Sequence, residues 1–101
     1  MEKSWHLYIL QCGDGSLYTG ITNDLPHRLE AHRTGKGAKY TRGRGPLELV
    51  YESSCDSYSQ ALKLEAAVKK LPRQKKLLLI QGKLSLTKGE EPVIIQTVSG
   101  G

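Results

Sequence analysis

The stretch that decides the fold is residues 5–22, which read WHLYILQCGDGSLYTGIT. Residues 5–11 and 17–22 are rich in tyrosine, isoleucine, leucine and threonine, the side chains that favour strands. Gly13-Asp14-Gly15 lies between them and is a strong turn signal. The segment therefore predicts a β-hairpin with one tyrosine, Tyr8 or Tyr18, on each strand.

The length of the hairpin loop decides where the two phenols point. If residues 13–15 form a three-residue loop, Tyr8 faces Gly20, and Tyr8 and Tyr18 lie on the same side of the ladder. A two-residue turn at Asp14-Gly15 would place them on opposite faces unless a bulge intervened. A site shared by both tyrosines requires the longer loop or a bulge.

Beyond the hairpin, capping residues and apolar spacing predict further helices and a third strand. The elements are, in order, a helix from about Leu25 capped by Asn23 or Asp24, a strand over residues 47–52, a helix starting at Ser57 or Ser59, and a shorter helix from Pro72 to about Gln81. We expect an α+β fold of order ββαβαα, a three-stranded antiparallel sheet flanked by helices. Residues 1–81 would form this domain. We expect residues 82–101 to be a C-terminal tail with some flexibility, although the β-prone stretch 93–98 leaves an added edge strand as an alternative.

Charge and composition narrow the class of protein. The chain of 101 residues has 15 Lys plus Arg against 10 Asp plus Glu, a net charge of +5, which favours a polyanionic partner but also fits a protein that is merely basic. Cys12 and Cys55 have neither disulfide-framework nor zinc-site spacing and are expected to be reduced thiols. The N-terminus lacks the pattern of a signal peptide, and the longest apolar run is residues 77–80. We expect a cytoplasmic monomer with no membrane partner.

The order of these elements and their polar residues resembles the GIY-YIG endonuclease superfamily. The first signature triplet stands as His6-Leu7-Tyr8 and the second as Tyr18-Thr19-Gly20, and the helices carry Arg28, His32 and Glu65. The likeness covers residues 5 to about 80 and is closest to the small single-domain branch, with similarity to the nuclease domains of the DNA-repair excinuclease and of structure-specific resolvases. The resemblance implies a metal-dependent endonuclease acting on DNA, selective for structure more than for sequence.

The resemblance also implies roles for individual residues. Tyr8 would be the base or water-orienting group with Tyr18 as helper and contender, Arg28 would stabilise phosphate charge, and His32 would assist. A free phenol has a pKa of about 10, so roughly one in a thousand is ionised at neutral pH and a water-orienting role is the less demanding one. Each residue also has an ordinary structural interpretation: sheet packing for the tyrosines, a solvated surface for Arg28, and a core histidine for His32. Gly20 is expected to be structural.

Glu65 is the metal ligand that the resemblance implies, although an i,i+4 ion pair with Lys69 would explain it equally well. A single carboxylate suits Mg²⁺, which keeps several waters and takes its other ligands from substrate phosphates. We therefore expect the ion to bind weakly without nucleic acid.

A glycine-rich basic loop follows the first helix. Its glycines would let the backbone approach phosphates, and its tyrosine could stack on a base. Nothing in it predicts base-specific recognition, and a solvated charge run is the plain alternative. The candidate nucleic-acid-binding residues are Lys36, Lys39, Tyr40, Arg42 and Arg44, and Lys39 is also expected to assist catalysis.

Three functions remain open from the sequence. The first is the nuclease, with DNA as partner, RNA not excluded and a protein partner for specificity kept open. The second is a nucleic-acid-binding module of the same fold with weak or no catalysis. The third is a protein-interaction domain whose basic face meets an acidic partner.

Overall fold

The computed structural model describes residues 4–36, 43, 45–86 and 94–96. Its main sheet has three antiparallel strands in the order β2-β1-β3, and three helices accompany it, so the predicted α+β architecture is confirmed. The elements are β1 (Trp5–Gln11), β2 (Leu17–Thr22), α1 (Leu25–Arg33), β3 (Glu48–Cys55), α2 (Tyr58–Lys69), α3 (Arg73–Ile80), β4 (Leu84–Leu86) and β5 (Ile94–Gln96).

The hairpin loop has the longer of the two predicted lengths. The backbone N–H of Cys12 donates to the carbonyl of Ser16 at 2.8 Å, and the Asp14 carboxylate accepts from both the backbone N–H and the hydroxyl of Ser16. Gly15 has φ of +86°, a conformation that only glycine adopts at little cost. Tyr8 consequently pairs with Gly20, and the two tyrosines lie on one face of the sheet.

The third strand is longer than its alternating pattern predicted. The prediction covered residues 47–52, whereas β3 extends to Cys55, because Ser53 and Ser54 pair with β1 although they carry no apolar signal. The register of β3 against β1 shifts between Ile9 and Leu10, which marks a β-bulge. This shift is why simple alternation describes β3 poorly.

Side-chain caps begin two of the helices. The Asp24 carboxylate accepts from the backbone N–H of His27 at the start of α1, and the Ser57 hydroxyl accepts from that of Gln60 at the start of α2. Of the predicted alternatives, Asp24 and Ser57 are therefore the caps. These bonds satisfy N–H groups that the first helical turn leaves without intrahelical partners.

The two faces of the main sheet carry different kinds of side chain. Leu7 and Ile9 of β1 point to the face covered by α2 and α3, where the buried core forms. Tyr8 and Leu10 alternate with them and point to the opposite face, where His32 of α1 meets Tyr8. The other core residues are Cys55, Ala61, Leu64, Val68 and Leu79. One face thus supplies hydrophobic stability and leaves the other for a polar cluster.

Residues 82–101, for which the sequence favours a tail, contain two short strands among their described positions. β4 and β5 pair antiparallel with each other, with Leu84 opposite Gln96 and Leu86 opposite Ile94. The stretch around residues 93–98 thus supplies a strand, in a two-stranded sheet separate from the main one. The boundary at residue 81 remains a prediction.

Both cysteines are buried, and neither forms a disulfide. Within the described ranges, no helix is long and apolar enough to cross a bilayer.

Candidate active site

The centre of the polar cluster is the phenol of Tyr8. This side chain is 0% exposed, and its hydroxyl lies 2.9 Å from Nε2 of His32. Nε–H of Arg28 donates to the same oxygen at 3.3 Å. With Arg28 as a donor, the hydroxyl can complete its bonding by donating to Nε2, which gives the order Arg28, Tyr8, His32.

Helix α1 supplies both partners of this phenol. Arg28 and His32 are four residues apart and so lie on one side of the helix, one turn from each other. The cap at Asp24 sets where the helix begins and therefore which side faces the sheet. His32 is only 3% exposed, so its ring is part of the interior while Arg28 is half-buried at the margin.

Gly20 provides the space that the phenol occupies. A Cβ at this position would lie 2.6 Å from the Tyr8 hydroxyl oxygen, 2.7 Å from its Cζ and 3.0 Å from Cε2 of Tyr18. The backbone of Gly20 has no positive φ, so its role is close approach and not conformational freedom. The close approach of the Tyr8 phenol is the physical reason for the structural role predicted for Gly20.

Tyr18 completes the cluster on the side toward solvent. Its half-buried ring lies 6.2 Å from that of Tyr8 and 5.3 Å from that of His32, measured between centroids. Its hydroxyl also acts on both Tyr8 and Arg28 by hydrogen bonding. Four of the predicted residues, Tyr8, Tyr18, Arg28 and His32, are therefore brought together.

Burial and neighbouring charge set the protonation of this cluster. Desolvation raises the pKa of Tyr8 to about 12, although the hydrogen bond from Arg28 opposes the rise. The hydrogen bond to Tyr8 raises the pKa of Arg28, which stays charged. Burial, with a contribution from the Arg28 charge, lowers the pKa of His32, so the imidazole is neutral at pH 7. The site thus presents one fixed positive charge held by neutral rings.

Glu65 lies on α2, outside the hydrogen-bonded cluster. Its side chain is 21% exposed, and Oε2 lies 3.4 Å from Nζ of Lys69, the i,i+4 ion pair considered from the sequence. Lys69 in turn lines a surface hollow together with Tyr18, which connects the carboxylate to the edge of the cluster. Among the described residues, no three His, Cys, Asp or Glu side chains are grouped as a metal cage. The donor set therefore fits a weakly held divalent ion with mostly water and phosphate ligands, and does not fit a structural metal.

Of the predicted nucleic-acid-binding residues, the structure describes Lys36, which is exposed just after α1. The others lie outside the described residues: Lys39, Tyr40, Arg42 and Arg44.

One hydrogen bond beside the cluster was missed from the sequence. Glu52 of β3 is the cross-strand neighbour of Tyr8, and its Oε1 lies 2.6 Å from Nδ1 of His6. His6 and Tyr8 are two residues apart on β1 and so share a face, a signal that the sequence does contain. The register of β3, which brings Glu52 to that face, could not be read from local pattern.

Comparison with known proteins decides the family. A model described as the GIY-YIG catalytic domain matches residues 4–77. The chain belongs to the GIY-YIG family. It is similar to a UPF0213 protein of Oceanobacillus iheyensis, with 54% identity over 81 residues that cover 80% of this chain and 94% of that one.

Two solved structures support the same placement. The solution structure of a UPF0213 protein from Bacillus halodurans is 49% identical with a TM-score of 0.54, covering 79% of this chain and 85% of the other. That of a protein from E. faecalis is 41% identical with a TM-score of 0.58, covering 81% and 90%. Family membership implies a nuclease domain, and with it DNA binding and the divalent metal that GIY-YIG nucleases generally use.

Proposed function

We propose that this protein is a Mg²⁺-dependent endonuclease that hydrolyses phosphodiester bonds in DNA and selects its substrate by structure more than by sequence. The observation that carries the proposal is the Tyr8 hydroxyl held between Arg28 and His32 beneath the half-buried ring of Tyr18. A buried phenol bound to both a guanidinium and an imidazole is more elaborate than packing requires. We infer that this arrangement orients the positive charge of Arg28.

Arg28 is the group we assign to the scissile phosphate. A guanidinium has five N–H donors, so bonds to two phenols leave others to hold phosphate oxygens. Its bond to Tyr8 fixes the side chain before substrate arrives, and fixed donors stabilise developing negative charge without reorganising.

The two tyrosines take different tasks in this proposal. With a pKa of about 12, Tyr8 would be ionised in only about one molecule in a hundred thousand at pH 7, and its ring is fully buried. We therefore infer that Tyr8 positions Arg28 and His32. Tyr18, nearer to solvent, accepts the hydrogen bond of the attacking water. The burial of Tyr8 therefore favours Tyr18 as the water-orienting group, although the sequence placed Tyr8 first.

Glu65 is the residue that would hold the metal. A single half-buried carboxylate beside Lys69 fits an ion that brings its own waters. Bound there, Mg²⁺ would supply positive charge to the phosphate and lower the pKa of water. In the free protein Lys69 occupies this carboxylate, so we expect little metal binding before nucleic acid is present.

Cleavage of a panel of nicked, branched and single-stranded DNA, with and without Mg²⁺, tests the proposal. We expect cleavage by the wild type only with Mg²⁺, and loss of cleavage with binding preserved in Glu65→Gln. Glu30→Gln is the matched control, because Glu30 is an exposed carboxylate in an ion pair with Arg33. Binding without cleavage of any substrate would instead identify a nucleic-acid-binding module, and equal losses in both variants would remove Glu65 from the mechanism.

A further inference from the structure

A surface hollow at the edge of the main sheet is separate from the Tyr8 cluster but adjacent to it. Its volume is about 320 Å³, and it lies where β2 meets α2 and α3. Tyr18 belongs to both places, since it lines the hollow and packs on His32. The described lining residues are Leu17, Tyr18, Thr19, Lys69 and Lys76.

Thr19, one of the residues that line the hollow, carries an unsatisfied polar atom. The residue is 3% exposed, and its Oγ1 has no hydrogen-bond partner among the residues that the structure describes. Buried hydroxyls are nearly always bonded, because leaving one without a partner costs stability. A threonine that lines a hollow in this state points to a ligand with a hydrogen-bonding oxygen.

The backbone of Thr19 adds a second donor on the same edge. β2 is an outer strand of the sheet, with β1 on its only paired side. Cys12 and Ser16 form a hydrogen-bonded pair, and such pairs alternate along an antiparallel ladder, so Tyr18 and Gly20 direct their backbone groups to β1. The backbone N–H of Thr19 therefore points outward from the sheet edge.

Two ammonium groups give the hollow its charge. Lys69 comes from α2, where it pairs with Glu65, and Lys76 comes from α3. No carboxylate is among the described lining residues, and because Glu65 offsets the charge of Lys69, the net positive charge of the hollow comes from Lys76. Residues with hydroxyl, backbone N–H and ammonium donors lie together around one small hollow, and such donors are the chemistry that binds a phosphate oxyanion.

We propose that this hollow is a second phosphate site, which holds a backbone phosphate of the nucleic acid next to the one bound by Arg28. The inference rests on the proposed function for the identity of the ligand. Because Tyr18 separates the two places, a strand crossing its ring reaches Arg28 on one side and Lys76 on the other. A phosphate that engages Lys69 also competes with Glu65 for that ammonium, so occupancy of the hollow releases the carboxylate proposed to bind metal.

Binding of a fluorescein-labelled nicked DNA duplex, measured over a range of salt without Mg²⁺, tests this site. Lys76→Gln should reduce the slope of log affinity against log salt by about one, the loss of one phosphate contact. Lys75→Gln is the matched control, because it removes the same charge from an exposed neighbour on α3. It should change the slope much less, and equal slopes for the two variants would overturn the site.

Thr19→Val tests the hydroxyl of the hollow separately from the charge of its lysines. Valine keeps the shape but removes the unsatisfied hydroxyl, so the melting temperature should stay or rise while affinity falls about tenfold, the value of a hydrogen bond to a charged group. Unchanged affinity would contradict the site. Titration with inorganic phosphate should shift the backbone amide resonance of Thr19 saturably in the wild type and not in Lys76→Gln. The absence of a saturable shift in the wild type would also contradict the phosphate site.

The outcomes for the hollow and for the nuclease are distinguishable. If no DNA is cleaved but Lys76→Gln still weakens binding more than Lys75→Gln, the hollow stands and the nuclease proposal fails. If cleavage depends on Glu65 while the two lysine variants behave alike, the nuclease stands and the hollow fails.

Discussion

Replacing Gly20 by alanine is the smallest change that should disturb the proposed site. The added methyl group would lie 2.6 Å from the Tyr8 hydroxyl oxygen and 2.7 Å from its Cζ, well inside ordinary contact distance. Tyr8 cannot withdraw easily, because its ring is fully buried and its hydroxyl is bonded to Arg28 and His32. The phenol, the strand or both must therefore shift.

The magnitude follows from two opposing terms. Overpacking a well-packed interior costs about 1–3 kcal/mol. Alanine in a strand is favoured over glycine by about 0.5–1 kcal/mol, and no positive φ at Gly20 opposes it. The net loss of unfolding free energy should be about 1 kcal/mol, which in a domain of this size lowers the melting temperature by about 4–8 °C.

Thermal unfolding monitored by circular dichroism, together with cleavage at a temperature where both proteins are folded, measures the effect. Gly45→Ala serves as the control, since a methyl there meets no described atom within 4 Å. In a Tyr8→Phe background the 2.6 Å contact with the hydroxyl is absent, so alanine at residue 20 should cost less than in the wild type. A Gly20→Ala protein as stable and as active as the wild type would refute the close approach of phenol and strand.

Two further predictions concern stability. Because burial and Arg28 lower the pKa of His32 in the folded protein below its usual 6.5, the unfolded chain takes up the proton first as pH falls. The contribution of His32 to stability should therefore be full above about pH 6.5 and decline below it. Urea unfolding at about pH 7.5 and 5.5 should show that this decline is reduced in His32→Gln but not in His27→Gln, a change at an exposed histidine. Ser57→Ala should cost about 1 kcal/mol by removing the α2 cap, whereas Ser59→Ala, inside the first turn, should cost little in the same unfolding assay; equal losses would contradict the assigned cap.

Local signals predicted most of the elements because each depends on neighbours in sequence. The strands of the hairpin followed from β-prone side chains around Gly13-Asp14-Gly15, and the helices from capping residues and apolar spacing. The loop length was left open, and the two bonds that the Asp14 carboxylate accepts from Ser16 accompany the longer form. These bonds are local, but the residue types alone do not show which of the two turns will form.

The features that the sequence did not predict depend on long-range pairing. The register between β1 and β3, with its bulge, places Glu52 opposite Tyr8. The hollow lined by Thr19 and Lys76 combines a strand with a helix that is distant in sequence. The full burial of Tyr8, for which we propose a positioning role and not a water-orienting one, also becomes visible only once α1 is packed on the sheet. Residue spacing suggested which groups would meet, but not which of them would be accessible.

The most direct measurement of the central claim compares Arg28→Ala with Arg33→Ala in Mg²⁺-dependent cleavage and in DNA binding. Both variants remove one guanidinium from α1, but Arg28 contacts Tyr8 whereas Arg33 is exposed and pairs with Glu30. We expect Arg28→Ala to lose cleavage by about a hundredfold or more, the scale of one preorganised donor in a transition state, and to weaken DNA binding far less than cleavage, while Arg33→Ala cleaves normally. Equal cleavage by the two variants would contradict a catalytic site built around Tyr8 and Arg28.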